Sequence, residues 1–435
     1  MKYYSTNDKS KLVTFKTAVM QGLAEDGGLF MPVEIPLLPK EYFNSVKKKS
    51  FQEIGFDVAE KFVGGEISSN DLNKIICDAL NFPAPLFKLA NNLSVLELFH
   101  GPTLAFKDFG ARFMAKTMGH FVAEQNTELN ILVATSGDTG SAVAYGFYET
   151  PGINVYILYP KGKVSLIQEK QLTTLDKNIT ALEINGTFDD CQRLVKTAFV
   201  DRELNKKLNL SSANSINISR LLPQSFYYIE AYKQVPKKNR PVVISVPSGN
   251  LGNLTAGLIA KKMGLPVDKF IGAVNSNTVF AEYVNEGKFE PRSSIQTLSN
   301  AMDVGNPSNL VRIREMYSNK LDDVQFDIYS ESNDDSATRR GIKEVFKKYQ
   351  YIIDPHGSVG YLAFKDYVEK NSLGDYYGII LETAHPAKFK DVIEEELKIQ
   401  VEIPERLAVC ITKKKQTVEL SNTFEEFKDY LLNTA

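Results

Sequence analysis

Cysteine is scarce in this 435-residue chain. There are three, Cys77, Cys191 and Cys410, far apart and with no CxxC pair. That excludes a disulfide scaffold and points to reduced thiols in a cytoplasmic protein. Excess charge is absent as well. Lys plus Arg number 51 and Asp plus Glu 53, a net charge of −2. No basic surplus exists to neutralise a phosphate backbone, so nucleic acid is not expected as a partner. No apolar run approaches the roughly 20 residues that span a bilayer. The opening MKYYSTNDKSK has no apolar core of a signal peptide, so no membrane partner is expected either. The four histidines, His100, His120, His356 and His385, show neither HxH nor HxxxH spacing, which argues against zinc. The segment SESNDDSATRR (330–340) lacks the Gly and terminal Glu of a calcium loop and reads as a solvated loop leading into a helix. No metal is expected. Repeats and low-complexity tracts are missing too.

What remains is an ordinary globular composition, 43% hydrophobic and 24% charged. At roughly 150 residues per domain, the length suits two or three units. Residues 1–85 are mostly polar with helical patterning, and read as an N-terminal helical segment. From about Ser94 the texture changes. Short apolar runs suited to buried strands fall at 94–99, 131–135, 153–159, 180–184, 241–247, 270–275 and 378–383, with helix-length stretches such as 108–124 and 141–149 between them. This rhythm predicts α/β architecture with parallel sheets covered on both faces, as two doubly wound domains. The polar stretch VPKKNRP (235–241) marks the expected boundary between one α/β domain at 86–235 and another at 236–435. The second would end in a helix at 388–398, a proline break and a final helix near Leu432.

Two glycine-rich turns follow predicted strands. PVVISVP runs into SGNLGN (248–253) and then a helix. A helix N-terminus carries unpaired N–H groups and a partial positive charge, and glycine lets backbone approach a ligand closely, so a phosphate fits there without a lysine. The turn is neither GxGxxG nor GxxxxGK[ST], which excludes the usual dinucleotide and ATP fingerprints. A plain tight βα connection would look similar. The second turn, ILVAT followed by SGDTG (136–140), suits a carboxylate held by Ser136, Thr139 and backbone N–H groups, or an ordinary capped helix start. Asp138 opposes an anion there and faces either a cation or a donor group. Ligands of open α/β sheets sit at the carboxyl ends of strands, where both turns lie.

Between the first strand and its helix lies HGPTLAFKDFGARF (100–113). Lys107 is the only Lys or Arg between Asn91 and Arg112, and Phe106 and Phe109 flank it. Burial and a helix N-terminus both disfavour an ammonium, and a neutral amine is what a Schiff base requires. The alternative is a packed stem with a hydrated head. The strand at 378–383 ends on Thr383 and continues as AHPAKF, bringing His385 and Lys388.

HGPTLAFKDFG, ATSGDTGSA, NSINISR (214–220), SGNLGN and TAHPAKF, in this order, together with GLAEDGGLFMP (22–32), resemble the threonine synthases. These are pyridoxal-phosphate enzymes of the tryptophan-synthase-β fold type. The similarity covers nearly the whole chain. It implies pyridoxal 5′-phosphate as cofactor, in a cleft between two α/β domains. It implies Lys107 as the Schiff-base lysine, Gly249, Asn250, Leu251, Gly252 and Asn253 around the cofactor phosphate, and Thr383 at the pyridine nitrogen. A neutral hydroxyl there makes the ring a weaker electron sink than an aspartate would. Thr135, Ser136, Gly137, Asp138 and Thr139 match the substrate-carboxylate loop. In the wider fold group that loop commonly reads SGNTG, so the ring-hydroxyl contact is open here. For a substrate phosphate the basic residues of YPKGKVS, Lys161 and Lys163, and Arg220 with Asn217 and Ser219 are the candidates. The implied reaction converts O-phospho-L-homoserine and water to L-threonine and phosphate by γ-elimination and β-addition, with Lys107 shuttling protons. A phospho-lyase or dehydratase of the same fold would share these residues. The resemblance is compatible with a monomer or a homodimer.

Overall fold

The strand signals resolve into two parallel-stranded sheets and one small antiparallel one. A computed structural model describes residues 1–135, 137–236 and 240–434. The larger sheet has six strands in the order Ile328–Ser332, Lys269–Val274, Val242–Pro247, Tyr377–Glu382, Leu93–Glu97 and Leu86–Ala90, all parallel except the last. The second has five parallel strands in the order Val418–Ser421, Ile179–Asn185, Ile153–Pro160, Leu129–Ala134 and Leu210–Ser212. Both faces of each are covered, which explains the unbroken apolar runs. Ile379 and Leu381 pack into the core shared by the two sheets, while Ile380 between them packs beneath the helix Pro355–Lys370 with Val359 and Phe364. Ile131 and Val133 likewise join the shared core, and Leu132 the outer cluster. The α/β reading therefore holds.

The boundary expected at 235–241 does not separate the sheets. Leu93–Glu97, from the first half, pairs with Tyr377–Glu382. Val418–Ser421, from the far end, pairs with Ile179–Asn185. The chain crosses between the sheets, and local composition carries no trace of that. The segment 330–340 is also corrected. Residues Ile328–Ser332 form an edge strand, with buried Ser330 donating to Gly272 O at 2.6 Å, before Asp334 caps the helix Asp335–Tyr349. Its polar look is that of a sheet rim.

The N-terminal segment holds the expected helices, among them Phe51–Val63. Ser50 and Glu53 close a capping box at its start, Gly64 ends it in the left-handed region, and Phe51, Ile54, Val58 and Phe62 bury one stripe. The segment also contains a three-stranded sheet of Leu12–Val13, Tyr3–Ser5 and Phe30–Pro32, whose strands are too short to show alternation. Towards the other end, a short 3-10 turn and the helix Lys390–Leu397 occupy the expected helical stretch, and the last helix is Phe424–Thr434. Among the described residues no helix is long and apolar enough to cross a membrane.

Candidate active site

Two strand ends are zipped together at one wall of a cavity of about 610 Å³. Leu98 N donates to Glu382 O at 3.0 Å, Phe106 N to Thr383 O at 2.9 Å and His385 N to Leu104 O at 3.0 Å. Lys107 begins the helix Lys107–Gln125, so this zipper places it and Thr383 on the same cavity. Behind Lys107, the buried carboxylate of Asp108 accepts from Thr103 N at 2.8 Å and Thr103 Oγ1 at 2.7 Å. A Cβ on Gly101 would lie 2.4 Å from that carboxylate, so only glycine fits.

Among the described residues nothing accepts a hydrogen bond from the Lys107 amine. The nearest group recorded over it is the Phe106 ring, 5.5 Å from Nζ to the centroid. Burial pulls the amine down to about 8. Asp138 opposes that fall, and Arg220 and Lys388 add to it.

The same cavity is lined by the SGNLGN turn. Leu251 adopts φ +60°, and its buried side chain anchors that unusual backbone. A Cβ on Gly249 would come within 2.7 Å of the Met302 backbone. The asparagine side chains are engaged by the protein. Asn250 Nδ2 donates to Ser215 Oγ at 2.6 Å, and Asn253 Nδ2 to Pro247 O at 2.7 Å. Among the described residues nothing accepts from the backbone N–H of 249 to 253, and the helix Gly252–Lys262 starts without a side-chain cap. This is an open anion cradle made of backbone.

The other turn is different. Thr135 Oγ1 accepts from Gly137 N at 3.0 Å and Gly140 N at 2.8 Å, so it staples the loop. Of the described residues 135 and 137–139, Thr139 alone lines the cavity; Ser136 lies outside the described residues. Asp138 is buried against Lys388, Oδ1 to Nζ at 2.6 Å. Burial works against its charge, yet Lys388, and after it Lys107, outweighs burial and holds the carboxyl well below its usual range. The cation required by Asp138 is thus Lys388.

Arg220 lines the cavity and is buried with no carboxylate beside it among the described residues. Its guanidinium donates to Ala213 O, while Nε has no partner. Burial pulls it down to about 10, with Asp108 acting against the fall. The other phosphate candidates do not gather there. Asn217 caps the short helix Ile218–Leu221, with Oδ1 accepting from Ser219 N and Oγ and Nδ2 donating to Val19 O. Both residues are fixed in the loop and off the cavity wall. Lys161 and Lys163 are exposed, and Lys161 pairs with Glu419 at 2.6 Å.

Among the lining residues missed from the sequence is His356. His356 Nδ1 donates to Asp354 Oδ1 at 3.1 Å, and its buried Nε2 has no partner among the described residues. Its only local signal was DPHG, an N-cap Asp followed by Pro at a helix start.

The orphan backbone N–H groups, the unpartnered amine and the free Thr383 hydroxyl together fit a phosphorylated aldehyde cofactor with a ring nitrogen. Residues 80–381 match the family described as pyridoxal-phosphate dependent enzymes. Residues 2–80 match the threonine synthase N terminus and 357–431 the threonine synthase C-terminal region. The threonine synthase of Haemophilus influenzae is 45% identical over 435 residues, covering all of both chains. That of Escherichia coli is 44% identical over 94% of each. The crystal structure of threonine synthase from Escherichia coli superposes with a TM-score of 0.94 at 42% identity over all of both chains. A pyridoxal-phosphate-bound threonine synthase from Brucella melitensis gives 0.93 at 33%, covering 100% of this chain and 99% of that one. The fold and site are those of a pyridoxal-phosphate-dependent enzyme. Within that class, the chain belongs to the threonine synthase family.

Proposed function

We propose that the chain converts O-phospho-L-homoserine and water to L-threonine and phosphate. The observation that carries this is that Lys107, the open backbone N–H groups of 249 to 253 and the buried Arg220 share one cavity. Lys107 anchors the cofactor covalently, the N–H groups of 249 to 253 hold its phosphate, and the Thr383 hydroxyl meets its ring nitrogen. When bound, pyridoxal phosphate supplies an electron sink for charge at the substrate α carbon.

The chain's own residues supply the rest. Lys107, free near neutral pH to lose and regain a proton, takes the proton from Cα and serves Cβ, which lies one bond further. Thr139 and its loop hold the substrate carboxylate. Arg220 meets the substrate phosphate and stabilises charge as it leaves from Cγ. Asn214 and Ser215, which replace Asn217 and Ser219 on the cavity wall, flank it.

Purified protein supplied with pyridoxal phosphate and O-phospho-L-homoserine should release threonine and phosphate in equal amounts. Phosphate with a keto acid and ammonia, and no threonine, would overturn the synthase reading in favour of a phospho-lyase.

A further inference from the structure

Lys388 has no task in the reaction above, yet it is the most deeply placed lysine at the site. Its side chain is 0% exposed and that of Asp138 3%. Nζ also donates to Thr103 O at 3.1 Å, and Gln168 Nε2 donates to Asp138 Oδ1 at 3.1 Å. The two partners come from different sheets. Lys388 lies in the turn Pro386–Phe389 after the strand Tyr377–Glu382, and Asp138 starts the helix Asp138–Phe147 after Leu129–Ala134. Thr103, the third member, grips Asp108 in the first turn of the Lys107 helix. A buried ion pair is weak evidence for stability, since desolvation offsets the attraction. Its retention beside an amine calls for another role.

We propose that Lys388 is a positioning residue that cancels the field of Asp138 at Lys107 and so keeps the Lys107 amine able to shed its proton near neutral pH. This rests on the reading of Lys107 as the cofactor-anchoring amine. The charged groups around Lys107 are few. Asp138 favours the ammonium, whereas Arg220 and Lys388 disfavour it. Asp108 acts on Arg220 from the lysine's own helix, His356 acts on Asp138 from the helix Pro355–Lys370, and His385 adjoins Lys388. Without Lys388, the Asp138 carboxylate would stand uncompensated next to Lys107. Without Asp138, Lys388 would push the amine further towards neutrality. The two substitutions must therefore move Lys107 in opposite directions, and together they must leave it between the two single variants. A merely structural pair predicts no such pattern of signs.

The test titrates Lys107 in the full-length apoprotein by NMR after reductive methylation with a ¹³C label, with the resonance identified by its loss in K107R. K388M should raise the midpoint by about one pH unit or more. D138N should lower it, the double variant should fall between the two single variants, and K388R should leave it in place. The proposal is overturned if K388M lowers or fails to move the midpoint, or if D138N raises it. D138N is nearly isosteric, so its sign decides the matter even if K388M does not fold. The pH profile of pyridoxal-phosphate capture, followed by absorbance, should shift in parallel. Capture that persists unchanged in K107R would instead refute the anchoring role of Lys107, while the titration would still decide the role of Lys388.

Discussion

The turns at 135–140 and 248–253 have the same construction and opposite electrostatics. Each follows a buried parallel strand and opens a helix with no side-chain cap. In SGNLGN the Asn253 side chain folds back on the turn, that of Asn250 bonds to Ser215, and the backbone N–H groups stay open among the described residues. In TSGDTG the threonine occupies two of those N–H groups, and a carboxylate stands at the first helical position with a lysine from the other sheet against it. The helix dipole is common to both, so it cannot set the preference of either. What separates them is where the neighbouring side chains send their hydrogen bonds. One turn leaves its backbone N–H groups open, and the other pairs a buried carboxylate with a lysine.

That contrast can be attacked directly. Lys107→Ala, which removes the group facing both turns, should cost on the order of 10⁴-fold in kcat and abolish the covalent cofactor link, read by turnover and absorbance. Next come the glycines. Gly249→Ala would drive a Cβ into the Met302 backbone and should weaken pyridoxal-phosphate affinity about tenfold or more. Gly137→Ala, at φ +145° and against the Gln168 side chain, should spare cofactor affinity and raise KM instead. If the two behave alike in a cofactor titration, the distinction between the turns fails. Because burial brings the Lys107 amine down to about 8, the rate of cofactor capture should rise with pH through that value and level off above it, as the neutral amine becomes dominant. Thr383→Ala removes one hydrogen bond of a neutral hydroxyl, which corresponds to roughly three- to tenfold in kcat. Smallest of all, Lys161→Ala breaks only an exposed pair with Glu419, and KM should stay as it was.

The parts of the site that are local in the chain were legible in the sequence. Lys107, Thr383 and the 249–253 turn each follow a strand whose apolar run is continuous, and the structure puts all of them on one cavity. The partner of Asp138 was not legible, because it lies 250 residues downstream on another sheet, and no periodicity records that approach. His356 was overlooked for the same reason. Its meaning lies in an unpaired nitrogen and a cavity, neither visible in DPHG. Lys161 and Lys163 misled because a basic loop after a strand looks the same whether it faces a ligand or solvent. Asn217 and Ser219 misled because a cap and a ligand contact call for the same polar side chains.

The interleaving of the sheets bears on how the protein is made. Tyr377–Glu382 is an interior strand of the six-stranded sheet, and Leu93–Glu97 has no other parallel neighbour. On a ribosome, about 280 residues must emerge after Leu93–Glu97 before its partner exists. The strand Ile179–Asn185 keeps one bare edge until Val418–Ser421 has emerged. Unpaired parallel edges are adhesive and slow to close. The nascent chain therefore carries two incomplete sheets until Tyr377–Glu382 and Val418–Ser421 emerge, and a chain truncated before them should aggregate rather than fold.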